Sequence, residues 1–267
     1  MLWDANSHNE RGLELVDRGW LFEAMREFNK AIDKKPKCAD AYDNLASVYA
    51  EKGQPFKALK LYLTAIELDP KNAAAHHNLG CFLANFGNDL AIEQYKSTIK
   101  LEDDFPDVHL NYGMALAEVG EYKKAIQLFK TALDIDSSDT MARHELACVY
   151  LELGLYHKAI KQLRIVINED KKNVNALVDL GICYTKTGFY DEANLTFKKA
   201  LKIDADNFLG NYYLAALHSL QNNKEEAIKH LEIAIKQDKN QIREFIKDDS
   251  QFDSIRNSKS FIKLNIF

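Results

Sequence analysis

Apolar residues recur along most of this chain at intervals of three and four, the spacing that gathers them on one face of a helix. Tyr42, Leu45 and Tyr49 form one such stripe, and Leu59, Tyr62 and Ile66 form the next; Tyr112, Leu116, Phe129 and Leu133 repeat the scheme. A glycine stands between neighbouring stripes at Gly19, Gly53, Gly87, Gly120, Gly154 and Gly188. Glycine reaches positive φ without a Cβ clash, which is the geometry that ends a helix. The pattern predicts helix, turn, helix, many times over.

A buried-looking alanine keeps time with this pattern. Ala24, Ala58, Ala91, Ala125, Ala159, Ala193 and Ala227 follow one another in steps of 34, 33, 34, 34, 34 and 34 residues. A fixed period of that size marks a stacked repeat array, in which each unit covers its apolar face with its neighbours. The units run 5–38, 39–72, 73–105, 106–139, 140–173, 174–207 and 208–241, after a short N-terminal tail of residues 1–4. A column of small residues, Gly12, Ala46, Gly113, Ala147, Gly181 and Ala215, precedes the ladder by twelve positions, with Gly80 displaced by one. Small side chains in both columns let two antiparallel helices approach closely. Asn72, Asp139, Asn173 and Asn207 stand just before first helices, where a side chain can cap orphan amides. Pro36 and Pro70 occupy the same connections, where a helix cannot continue.

Some units depart from the rule. The third is one residue short between Gly87 and Ala91, which predicts a tighter turn, and it carries Thr98 where others place alanine or valine. The seventh replaces the turn glycine with Asn222 and has His218 where Tyr49, Tyr150 and Tyr184 stand. Beyond 241 the period stops, but Ile242, Phe245, Ile246, Phe252, Ile255, Phe261, Ile262 and Leu264 continue at mostly helical spacing. Residues 242–267 are expected to be capping helices over the last open face, with a partner-binding helix as the rival reading.

On these columns the chain resembles the tetratricopeptide repeat family over residues 5–241. The resemblance implies an all-α, right-handed superhelical solenoid of seven helix-turn-helix units with a C-terminal helical cap. It further implies that first helices line a concave groove and second helices the convex side, so that ligand chemistry belongs on the first helices.

Composition narrows the chemistry. The net charge is −5 and the pI about 5.9, so the basic footprint of a nucleic-acid binder is missing overall. Cys38, Cys81, Cys148 and Cys183 are widely spaced and form no C-x-x-C pair, as in a reduced intracellular protein. The N-terminus shows no basic segment followed by an apolar run, and no 18 successive apolar residues occur; a cytoplasmic protein without a membrane span is expected. The sequon Asn194-Leu195-Thr196 falls inside a helix and reads as coincidental. Phosphate-loop, dinucleotide, H-E-x-x-H and EF-hand motifs are lacking. Adjacent His76 and His77 point about 100° apart on one helix and cannot share an ion from it. Each Ser, Cys or His occupies a structural column with no orienting partner set, and Cys81 and Cys148 on the inner face have acidic surroundings. Inert thiols, no metal site, no cofactor and no catalysis are therefore expected.

Two features of the first helices point to a ligand. Asn44, Asn78 and Asn111 hold the same place in three consecutive units, where amides can bind the main chain of an extended peptide. This resembles the asparagine ladder in the groove of some members of the family. The equivalent places elsewhere are Glu10, Glu145, Asp179 and Tyr213. Asp40, Asp43, Glu51, Asp107, Glu118, Glu145, Glu152 and Asp179 face the same groove in this register, whereas second helices carry Lys57, Lys60, Lys123, Lys124, Lys130, Lys158, Lys161, Lys198, Lys199 and Lys202. A concave surface of one sign favours ligands of the other. The family's clamp for carboxylate-terminated chaperone tails needs Lys and Arg there, and only Lys186 fits. Leu209, Tyr212 and Tyr213 either anchor a side chain or pack against the tail.

The expectation is a non-enzymatic adaptor that binds an extended or helical, basic or neutral segment of another protein in an acidic, partly Asn-lined groove. Nucleic acid and membrane are not expected as partners. The alternatives are a self-assembling structural protein, in which a second copy or the tail fills the groove, and a regulatory subunit of a larger enzyme complex.

Overall fold

The computed structural model describes residues 3–105, 107–264 and 266, and among them every regular element is helical. The helices gather into two compact units that divide between Ser137 and Ser138. The first contains four antiparallel pairs: α1 (Ala5–Asp17) with α2 (Leu21–Lys34), α3 (Ala39–Glu51) with α4 (Pro55–Leu68), α5 (Ala73–Ala84) with α6 (Asn88–Leu101), and α7 (Val108–Glu118) with α8 (Tyr122–Ile135). The second contains three: α9 (Thr140–Glu152) with α10 (Tyr156–Glu169), α11 (Val174–Lys186) with α12 (Tyr190–Ile203), and α13 (Phe208–Leu220) with α14 (Lys224–Gln237). Within each unit, every second helix also packs on the next first helix.

All seven ladder alanines are fully buried. The small column in the first helices works differently from the expectation of close backbone approach. A Cβ on Gly113 would lie 2.6 Å from Phe129 Cε1, and one on Gly181 would lie 2.5 Å from Phe197 Cε1. Gly12 and Gly80 stand in the same relation to Phe28 and Tyr95. These glycines make room for an aromatic ring on the second helix. Where that ring is replaced by Leu163 or Leu231, the first helix carries Ala147 or Ala215 in the same column, all four fully buried or nearly so.

The turns follow from local chemistry. At the end of α1 the Gly19 N–H donates to Val16 O at 2.8 Å and the Trp20 N–H to Leu15 O at 2.8 Å, with Gly19 at φ 74°. This crossed pair satisfies carbonyls that the helix end would otherwise orphan. Asn222 takes the same role in the seventh pair at φ 60°, and Asn223 N–H reaches His218 O at 2.8 Å. The missing residue of the third unit does not tighten its turn. The connection still spans three residues, 85–87, as 18–20 does in the first pair; α5 is shortened to 12 residues instead. Thr98 is accommodated in the alanine column because its hydroxyl donates back to Gln94 O at 3.1 Å.

Asn72, Asp139, Asn173 and Asn207 cap their helices by accepting from the backbone N–H groups of Ala75, Ala142, Ala176 and Gly210. The sequon lies within α12, where Thr196 is buried.

The tail opens at Lys239 with α15 (Lys239–Lys247), ahead of residue 242, because Asp238 accepts from Gln241 N–H and caps it. A 3-10 turn (Ser250–Phe252), α16 (Asp253–Arg256) and α17 (Lys259–Lys263) follow. Ile242, Ile246, Phe252, Ile255 and Phe261 join Tyr212, Ala216 and Leu231 in one core, so the tail covers the last helix pair. Tyr212 packs its ring on Phe245 and Phe252 and donates its hydroxyl to Asp249 at 2.7 Å. It belongs to this cap, and Leu209 stays exposed.

Candidate functional site

The first helices carry a recurring hydrogen bond that ties four repeats to the one that follows each. In the first compact unit Asn44 Nδ2 donates to Asn9 Oδ1 at 3.1 Å, Asn78 Nδ2 to Asp43 Oδ2 at 2.7 Å, and Asn111 Nδ2 to His77 Nε2 at 3.0 Å. In the second, His144 Nε2 donates to Asp179 Oδ2 at 2.8 Å. In every case one partner is in the asparagine column and the other precedes that column by one residue in the preceding repeat. Stacking sets these positions side by side. The three asparagines are half-buried, and each donates from its amide nitrogen to the first helix of the preceding repeat.

The carboxylates divide by exposure. Asp40, Glu51, Asp107, Glu118 and Glu152 are exposed, Glu145 and Asp179 are half-buried, and Asp43 is buried. Asp40 accepts from Asn72 Nδ2 at 2.9 Å, and Asp107 sits ahead of α7 in the left-handed conformation. Burial pushes the Asp43 carboxyl up to about 6; the Asn78 bond opposes this and the Asp40 charge adds to it. In the first unit the negative field of Asp107 reaches His77 and Cys81. In the second, Asp179, Asp249 and Glu152 converge on the Tyr213 hydroxyl, whose pKa is raised first by burial and then by these charges.

The first helices also hold two side-chain clusters that the sequence reading missed. Cys81 Sγ lies 3.6 Å from His77 Nε2 and from Asn111 Nδ2, and Tyr95 donates its hydroxyl to it at 3.7 Å. Cys148 Sγ lies 3.9 Å from His144 Nε2 and 3.8 Å from Asp179 Oδ2. These cysteines do have partners, contrary to expectation. The signal in the sequence is the spacing His-x-x-x-Cys, present twice, since residues four apart share a helix face. The third corner comes from the next repeat and needs the stacking register to be found.

Neither thiol is an activated nucleophile. Burial, followed by the charges of Asp179 and Glu145, pushes the Cys148 pKa far up, and burial raises that of Cys81. The bond to Asp179 raises the His144 pKa against the effect of burial, whereas burial lowers that of His77. A cavity of about 450 Å³ adjoins the second cluster, lined by His144, Asp179, Asn175, Val178, Asn207, Phe208 and Leu209.

Family models described as TPR repeat or tetratricopeptide repeat match residues 48–84, 82–140, 116–178 and 174–207. The chain belongs to the tetratricopeptide repeat family. Among solved structures it is similar to pilF of Pseudomonas aeruginosa, at 20% identity over 79% of this chain and 96% of that one, with a TM-score of 0.72. A tetratricopeptide repeat protein from Parabacteroides merdae matches at 19% identity over 95% and 99%, with a TM-score of 0.67. YrrB, described as a TPR protein with an unusual peptide-binding site, matches at 23% over 68% and 95%, with a TM-score of 0.60. A search of curated proteins finds no match. At these identities the likeness concerns the fold, and the fold supports a protein-interaction scaffold. Among the described residues no helix is long and apolar enough to cross a membrane.

Proposed function

We propose that this chain is a non-catalytic adaptor that binds a basic or neutral segment of another protein on the first helices of its first compact unit. The observation that carries the reading is the set of exposed carboxylates Asp40, Glu51, Asp107 and Glu118, on or next to first helices of the first compact unit whose second-helix partners carry the lysines; Glu152 holds the corresponding place in the second unit. Exposed charge of one sign steers a ligand of the other and adds a small attraction at each contact. A peptide site also agrees with the printed description of YrrB.

In this reading the asparagine row contributes mainly by fixing the spacing of the repeats, because each amide nitrogen is held by the first helix of the preceding repeat. Binding of a basic peptide library to wild type and to the Asn44→Ala/Asn78→Ala/Asn111→Ala variant, with the melting temperature of each, separates the two roles. The expected outcome is a lower melting temperature with peptide affinity largely retained. A selective loss of affinity with unchanged melting would return the amides to the binding surface and contradict this assignment.

A further inference from the structure

His144 and Cys148 stand one turn apart on α9, and Asp179 reaches them from α11 in the same compact unit. Their donor atoms lie 2.8, 3.8 and 3.9 Å from one another and form a closed triangle. A tetrahedral zinc ion, with bonds of about 2.0 Å to nitrogen and oxygen and about 2.3 Å to sulfur, needs its ligands about 3.3–3.6 Å apart. The nitrogen–oxygen edge must open by about half an ångström and the two sulfur edges must close by somewhat less, within the reach of small χ adjustments on half-buried side chains. The donor set of imidazole, thiolate and carboxylate suits zinc and is a poor match for magnesium or calcium, which take oxygen ligands.

We propose that His144, Cys148 and Asp179 form a zinc-binding site with a fourth position open to the adjoining cavity of about 450 Å³. Three protein donors and a water in the fourth place make an open coordination sphere. Binding transfers the Cys148 thiol proton to solvent, moves the Nε2 proton of the neutral His144 ring to Nδ1, and replaces the His144–Asp179 hydrogen bond with two metal bonds, so no oxidant or reductant is needed.

The chain contains its own comparison. His77 and Cys81 repeat the same spacing on α5, but their third corner is Asn111, whose Nδ2 donates to both of them. An amide nitrogen offers no lone pair to a metal. The carboxylate at Asp179 is what distinguishes the two clusters, and the site stands whether or not the acidic face binds a peptide.

Titration of the reduced full chain with cobalt(II), a spectroscopic stand-in for zinc, tests the assignment. One equivalent is expected to give a thiolate-to-cobalt charge-transfer band that zinc then abolishes. Cys148→Ser, a near-isosteric change, should eliminate the band, and Cys81→Ser should leave it intact. Asp179→Asn should weaken binding by about tenfold or more, since even an outer-shell partner of a zinc ligand is worth that much. Asn111→Asp should raise the stoichiometry to two. Absence of the band in wild type, or its survival in Cys148→Ser, would overturn the site. A stoichiometry that stays at one in Asn111→Asp would overturn the role given to the carboxylate.

Discussion

Asp43 is buried on α3 with Asn78 bonded to one carboxylate oxygen and no partner for the other. Its carboxyl is pushed up from the ordinary 3.8 to about 6, chiefly by burial. A group that binds its proton more readily in the folded state gives a contribution fully present below about pH 4 and lost as pH rises through about 6. At neutral pH the ionised form therefore costs on the order of 2 kcal/mol. Asp43→Asn keeps an oxygen for Asn78 and removes the charge. Urea unfolding at several pH values should show the variant gaining stability over wild type between pH 4 and 7, and a constant difference would contradict this account. The sequence placed Asp43 among the groove carboxylates because helical register fixes direction around an axis. It does not tell how far the next repeat's helix reaches over a side chain, and Asn78 is the residue that covers this one.

Six of the seven helix pairs set an aromatic ring against glycine or a leucine against alanine; the exception is the second, where Ala46 shares its column with Tyr62. Phe28, Phe129 and Phe197 meet glycine, and Leu163 and Leu231 share their columns with alanine. Gly113→Ala would force its methyl into the Phe129 ring and should destabilise the fold by about 1–3 kcal/mol, the usual cost of overpacking. Phe129→Leu, introduced into that variant, recreates the Ala147/Leu163 pairing and should restore much of the loss. Chemical denaturation of both variants checks the pair, and additive losses would show that ring and methyl do not compete. Both columns were readable from the sequence because packing imposes the period. Their pairing was not, since it depends on which side chain lies across the helix interface. The shortening of α5 was hidden for a related reason: a missing residue can be absorbed by a helix or by a turn, and only backbone hydrogen bonds decide between them.

Across the whole chain, one repeating rule produces the fold, and small departures from it produce the candidate chemistry. The seven helix pairs and the covering tail follow from periodic burial, which is why they were legible in residues such as Ala24 and Gly19. The proposed acidic surface was read from composition along the first helices, and the structure adds only which of its carboxylates are exposed. The clusters around Cys81 and Cys148 were not, because their third members lie 30 and 31 residues away and arrive only when repeats stack. The proposed function rests on the exposed charges, which packing leaves free to vary.

The central claim is that exposed first-helix carboxylates bind a basic segment, and its most direct test is the salt dependence of that binding. Affinity for a lysine-rich peptide should be measured at low and high ionic strength for wild type and for Glu51→Lys/Glu118→Lys, both in the first compact unit. Salt should weaken wild-type binding, because exposed charges are screened beyond about 8 Å at physiological ionic strength. Losing two exposed contacts of roughly 0.5 kcal/mol each should lower the variant's affinity by about fivefold or more, with a flatter salt response. Equal affinity and equal salt dependence in the two proteins would contradict the account.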